Sequence, residues 1–101
     1  MVRGLKKLGP IASEVLFEND KVRIWQLTVE PGEASPWHKH ARDYVTVTIE
    51  DGGITAEYED GAVLDFEPEI GEAEFLDDNQ PHRLVNNSKK RYKNILVELK
   101  E

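Results

Sequence analysis

The sequence predicts an all-β chain, folded as an antiparallel double-sheet barrel or sandwich, and three features carry that reading. Apolar side chains recur with a period of two over short runs, which sends them to one face of a strand. Clusters of Gly, Pro, Asn and Asp interrupt these runs at intervals of roughly 8–12 residues, the strand spacing of sandwiches and barrels. No stretch shows the apolar spacing of an amphipathic helix. A chain of 101 residues has room for one domain and one core.

Residues 1–12 read as a flexible arm bearing Arg3, Lys6 and Lys7, and residues 13–101 as a single domain. Ser13 to Phe17 alternates weakly and predicts a first strand, turned by Glu18-Asn19-Asp20. Lys21 to Glu30 is the clearest strand, with Val22 and Ile24 on one side and Trp25, Leu27 and Val29 on the other. Apolar residues on both faces imply cover from both sides, by the core and by another sheet or subunit. Pro31-Gly32 ends this strand. Pro36 to His40 is extended, with Trp37 and Lys39 opposite the two histidines. Tyr44 to Glu50 alternates strictly, Tyr44, Thr46 and Thr48 against Val45, Val47 and Ile49. Asp51-Gly52 has the signature of a tight hairpin turn. Ile54 to Tyr58 and Ala62 to Phe66 predict a further hairpin about Glu59-Asp60-Gly61. Glu72 to Leu76 and Pro81 to Asn86 are strands joined by a turn over 77–80, and Arg91 to Lys100 closes the domain.

Twenty acidic residues against thirteen basic give a formal charge of -7. That balance argues against nucleic acid or an anionic membrane surface as partner, because phosphate is bound by clustered Lys and Arg. Lys6-Lys7 and Lys89-Lys90-Arg91 are short and fit solvated termini and turns. Without cysteine there is no disulfide framework and no thiolate ligand, so any metal must sit on nitrogen and oxygen. The N-terminus lacks the apolar run of a secretion signal, and nothing approaches the ~20 apolar residues of a membrane helix; a cytoplasmic location is expected.

Chemistry concentrates in Gly32 to Tyr44, which holds two of the three histidines. His38 and His40 leave the same face of an extended strand. Two neutral imidazoles side by side suit zinc, iron, nickel or copper, although two partly exposed strand histidines would give the same pattern. His82 lies 42 positions after His40, and only a fold that brings distant strands together unites the three.

The framing is more specific than the histidines alone. The first stretch fits Gly32-x5-His38-x-His40, the second Gly71-x10-His82-x3-Asn86. These resemble the two sequence motifs of the cupin superfamily, in the same order and with a short segment between them from about Gly52 to Ile70. The resemblance runs from roughly Val22 to Leu99. It implies a cupin jelly-roll β-barrel of the RmlC-like kind, in which His38, His40 and His82 hold one divalent transition metal such as Fe, Ni, Zn or Mn. Three departures stand out. Tyr44 occupies the position of the family's usual glutamate ligand, Gly52 comes one residue late, and Asp77-x-Asn79 replaces Pro-x-Gly. The run from Trp37 to Val47 is similar to small single-domain cupins of the β-alanine degradation (BauB-like) group, members of which can carry Asp-Tyr-Val there.

A three-histidine shell would be neutral, leaving the metal its full charge and open positions for a small-molecule ligand. Tyr44 is the candidate catalytic residue. A phenol with a pKa of about 10 is a poor ligand, and Tyr44 reads as a donor facing the substrate, although a nearby dication favours the phenolate. Asp43 competes as a substitute carboxylate, but strand parity points it away from the Tyr44 face. Asn86 either lines the cavity or satisfies backbone at its turn. Gln26 and Thr46 are candidate inward polar groups. Three functions stay open. One is a metal-dependent enzyme of small-molecule catabolism, either an oxygenase of the kind found among three-histidine cupins or an isomerase or hydrolase. The second is a non-catalytic module that binds or senses a metal or small ligand. In the third the histidines merely fill the barrel. A homodimer is expected, because a small jelly roll cannot cover both faces of the Lys21 to Val29 strand, with Trp25 and Trp37 as its anchors.

Overall fold

The computed structural model describes residues 9–77 and 80–100, so residues 1–8 of the arm expected over 1–12 and part of the turn at 77–80 fall outside the described residues. Eight strands follow in order: β1 Glu14–Glu18, β2 Val22–Val29, β3 Tyr44–Asp51, β4 Ile54–Tyr58, β5 Val63–Phe66, β6 Ala73–Leu76, β7 His82–Val85 and β8 Tyr92–Leu99. They form a five-stranded sheet in the order β1-β2-β8-β3-β6 and a three-stranded sheet in the order β5-β4-β7. All pairings are antiparallel. The double-sheet jelly roll expected from the sequence is the fold observed.

Alternation decides what each strand turns inward. On β8, Tyr92, Asn94, Leu96 and Glu98 are buried and the residues between them only half so. Leu27 and Val29 of β2 join Tyr92, Ile54 and Ala12 in the apolar cluster, with Trp25 and Leu84 packed against it. Residues 9–12 therefore run along the body of the domain, and the amide of Gly9 donates to the carbonyl of Trp37 at 2.6 Å. On β3 the inward set is Tyr44, Thr46 and Thr48, while Val45, Val47 and Ile49 face out. The polar inner face of β3 borders a cavity between the two sheets.

The outer face of the large sheet carries the complement. Phe17, Ile24, Val97, Val45 and Phe75 follow one another across all five strands in a single cross-strand row. Phe17 is 53% exposed and Phe75 60%. Trp25 takes no part in this row. It packs inward and its indole N–H donates to Glu98 Oε1 at 3.0 Å, which removes it as an interface anchor. Gln26 shares the outward face, pairing with Ile95, so only Thr46 of the two polar candidates is turned inward.

The tight hairpin expected at Asp51-Gly52 is not formed. β3 and β4 belong to different sheets, and Gly52 serves a crossing between them. Its amide donates to the Arg91 carbonyl at 3.0 Å, and a Cβ there would stand 2.2 Å from the Lys90 carbonyl oxygen. Asp-Gly marks a hairpin because such turns need a positive φ; here glycine is required for close approach of two backbones instead. The hairpin about Gly61 does form, with φ +94° and β4 paired to β5.

Asn86 is wholly buried and satisfies backbone rather than lining the cavity. Its Nδ2 donates to the carbonyls of Val29 (2.9 Å) and Lys90 (2.7 Å), and its Oδ1 accepts from the amide and hydroxyl of Ser88 (2.9 and 2.7 Å). Truncation leaves several buried groups unpaired. Asn86→Ala is expected to lower unfolding free energy by about 2–4 kcal/mol, measured by urea denaturation; a loss below about 1 kcal/mol would show that water replaces the side chain.

Candidate metal centre

The first two histidines arrive on a segment that adds an irregular edge to β7. Ser35 N–H donates to the Leu84 carbonyl at 2.8 Å, and His38 and His82 exchange both backbone hydrogen bonds at 2.9 Å. Pro36, which has no N–H, breaks the ladder between these points, so the extended stretch expected over Pro36 to His40 pairs only at isolated bridges. Mutual pairing sets His38 and His82 side by side, and the period of two brings His40 to the same face as His38.

All three imidazoles are buried, at 2% exposure for His38 and His40 and 6% for His82. Their ring centroids lie 4.5 Å (His38–His82), 5.0 Å (His38–His40) and 5.2 Å (His40–His82) apart. One nitrogen from each falls within 4.8 Å of the others. Nitrogens sharing one ion at ~2.0–2.2 Å stand about 3–3.5 Å apart, so small side-chain rotations close the set. His38 Nδ1 lies 2.9 Å from the Pro36 carbonyl. A carbonyl can only accept, so Nδ1 carries the proton and the Nε2 lone pair is left for a metal. His40 Nδ1 is buried without a hydrogen-bond partner, a cost that a metal or water partner would relieve. The donor set therefore fits a divalent transition metal.

The electrostatics agree. Burial pushes His38 down to about 4, against the Pro36 hydrogen bond, with a further contribution from His82. Burial likewise lowers His40 to about 3, helped by His38 and His82. Both are neutral imidazoles near pH 7, the form that coordinates.

Tyr44 is 4% exposed and its ring stacks on that of His40, centroids 3.8 Å apart and planes 15° from parallel. It fixes the plane of a candidate ligand, a contact that the sequence reading did not foresee. Asp43 is not part of the nitrogen cluster. Trp37 lies under the Arg83 guanidinium, 5.3 Å from its carbon.

The histidines face a cavity of about 160 Å³ between the sheets. Sequence reasoning missed most of its polar lining: Thr48, Glu72, Glu74, Tyr92 and Asn94. The signal was present in parity, since Glu74 pairs with Thr46 and Asn94 with Thr48 across the sheet. Alternation alone did not say which face of β3 was inner; only the motif position of Tyr44 pointed to it.

The family model of the cupin domain matches residues 25–98, three quarters of the chain. The protein belongs to the cupin family. Among solved structures this cupin is similar to a cupin domain from Bordetella pertussis Tohama I, at 26% identity and TM-score 0.80, over 97% of this chain and 100% of that one. An RmlC-like cupin family protein with a double-stranded β-helix fold from Methanocaldococcus jannaschii shares 18% identity at TM-score 0.71, over 99% and 93%. A double-stranded β-helix protein from Klebsiella pneumoniae shares 18% at TM-score 0.68, over 91% and 82%. The latter two likenesses speak to the fold alone. No curated protein matches the sequence. Among the described residues no helix is long and apolar enough to cross a membrane.

Proposed function

We propose that this cupin holds one divalent transition metal on His38, His40 and His82 and presents it to a small polar metabolite in the inter-sheet cavity. The observation that carries the reading is three buried imidazoles converging on one point, one of them with its tautomer set by Pro36. When bound, such an ion supplies a Lewis-acidic centre. The chain's own residues hold His38 and His40 neutral, orient His40 through Tyr44, and restrict access to what the cavity admits. Tyr44 remains the candidate catalytic residue, since its ring also lines the cavity. The similarity of Trp37 to Val47 to the β-alanine degradation group supports a setting in β-alanine catabolism, as context rather than as a reaction.

We favour a metal-dependent enzyme, oxygenase-like or isomerase- or hydrolase-like. A binding or sensing module is the competing reading, supported by a cluster that among the described residues consists of the three histidines alone, with no carboxylate joining it. Metal analysis of protein purified without a tag, followed by oxygen uptake by the iron form against a panel of small metabolites, separates them. Stoichiometric metal with no turnover on any of the panel favours the binder; absence of metal after reconstitution overturns both.

The outer row from Phe17 to Phe75 supports a homodimer, now with these residues rather than Trp25 at the contact. Light scattering is expected to give twice the 11.5 kDa chain mass, and Phe75→Glu to shift it toward the monomer. A concentration-independent monomer mass for the wild type would remove the proposal.

A further inference from the structure

The cavity is polar at both ends, and only one end is accounted for by the histidines. Along β3 the cavity face steps from Tyr44, stacked on His40, to Thr46 and then Thr48. Thr48 is four residues from Tyr44, roughly 13 Å along the strand. At that far end Asn94 of β8 stands opposite Thr48. The Thr48 amide donates to the Glu72 carbonyl at 3.0 Å, and Glu74 of β6 pairs with Thr46 one step nearer the histidines. Glu72 and Glu74 line the cavity, as does Glu67, while among the described residues no lysine or arginine does.

Asn94 is the informative residue. It is 2% exposed, lines the cavity, and spends its Nδ2 on the Tyr92 hydroxyl at 2.8 Å. Its Oδ1 is buried with no hydrogen-bond partner. A buried acceptor left unpaired is costly and rare in a folded protein. Exchanging the two amide atoms would still leave one of them unpaired, and the glutamates then decide which kind of group belongs beside it. Two carboxylates lining the same cavity as one unsatisfied amide, with no basic side chain among the described residues to oppose them, favour a positively charged donor. Burial raises the Tyr92 phenol, hydrogen bonds with Asn94 and Thr48 oppose this, and Glu74 and Glu72 add smaller raising contributions.

We propose that the Thr48–Asn94–Glu72–Glu74 end of the cavity is a subsite for the protonated amino group of a small amine or zwitterion, donating to Asn94 Oδ1. A ligand so anchored presents its other end toward the histidines. The inference deepens the proposed function by naming the charge of its ligand, but the subsite does not itself need the metal. An amine with one short alkyl chain suits the mixed lining, since Leu27, Leu96 and Ile54 border the same space. The net charge of -7 draws cations and repels anions at long range.

The test is titration of metal-free protein near neutral pH with three probes of similar shape, n-butylammonium, 1-butanol and butyrate, followed by NMR. Butylammonium is expected to bind at least about tenfold more tightly than either of the others, as a charge-assisted hydrogen bond warrants. Resonances of Thr48 and Asn94 should move. Glu72→Gln with Glu74→Gln, at exposed positions where glutamine keeps the oxygen that accepts from the Glu69 amide, should reduce that preference about tenfold. Asn94→Asp should increase it, and its retained fold is checked by the dispersion of the same spectra. Equal or tighter binding of butyrate, a preference unchanged in the glutamine variant, or no binding of butylammonium would overturn the subsite. Because no metal is present, these outcomes leave the metal assignment untouched. Conversely, a protein that fails to take up metal but binds butylammonium as described sinks the metal site and keeps the subsite.

Discussion

Metal-loaded wild-type protein is expected to melt well above the metal-free form near pH 7.5, and each of His38→Ala, His40→Ala and His82→Ala to erase that gap. An ion present at 1,000 times its dissociation constant stabilises a native-state binder by about 4 kcal/mol. Loss of one of three protein ligands is expected to weaken binding by more than the 10–100-fold typical of groups that only orient ligands. Tyr44 provides the graded control. Tyr44→Phe preserves a ring to stack on His40 and should leave the gap nearly unchanged. Tyr44→Ala removes the stack, and metal affinity should fall about 10–100-fold. A marked loss in Tyr44→Phe would instead make the phenolate a ligand. If the wild type showed no gap at neutral pH, the metal site would have to be abandoned. Paired melting curves with and without metal read all of these outcomes.

Acid is expected to unfold the metal-free protein through its own candidate ligands. In the unfolded chain a histidine titrates near 6.5, whereas native His38 and His40 do so at about 4 and about 3. Above pH 6.5 both states hold these rings neutral and the difference has no effect. Between pH 6.5 and 4 the unfolded chain takes up protons that the native state refuses, so stability falls as pH falls. Each histidine contributes a slope of up to about 1.4 kcal/mol per pH unit over that window. Two of them would consume much of the 5–15 kcal/mol typical of a domain within two or three pH units. Urea denaturation at pH 7.5, 6 and 5 measures the slope, and His40→Leu should roughly halve it. A metal ion adds to the effect, since its release also consumes protons. A flat stability profile from pH 7 to pH 5 would contradict the burial that gives the shifts.

Tyr44 and Glu74 mark where reading the sequence stops. The positions of β1 to β8 were legible to within a residue or two, because strands are written in a local code of alternation and turn residues. The histidines were legible too, from His38-x-His40 and the glycine-framed motifs around them. Alternation says that two faces exist but not which is inside. In β3 the usual guess, apolar inward, fails: Thr46 and Thr48 face the cavity while Val45 and Val47 face out.

What the sequence determined by itself was the all-β class, the strand positions and the residue types able to hold a metal, since each depends on neighbours a few positions apart. Only the tertiary structure decided which sheet each strand joined, and therefore that Asp51-Gly52 is a crossing and not a hairpin. It also decided that Trp25 faces the core, that Tyr44 lies on His40, and that Asn94, Glu72 and Glu74 line one cavity. These juxtapositions join residues tens of positions apart through sheet register, and register is fixed by the packing of the whole domain rather than by any local stretch of chain.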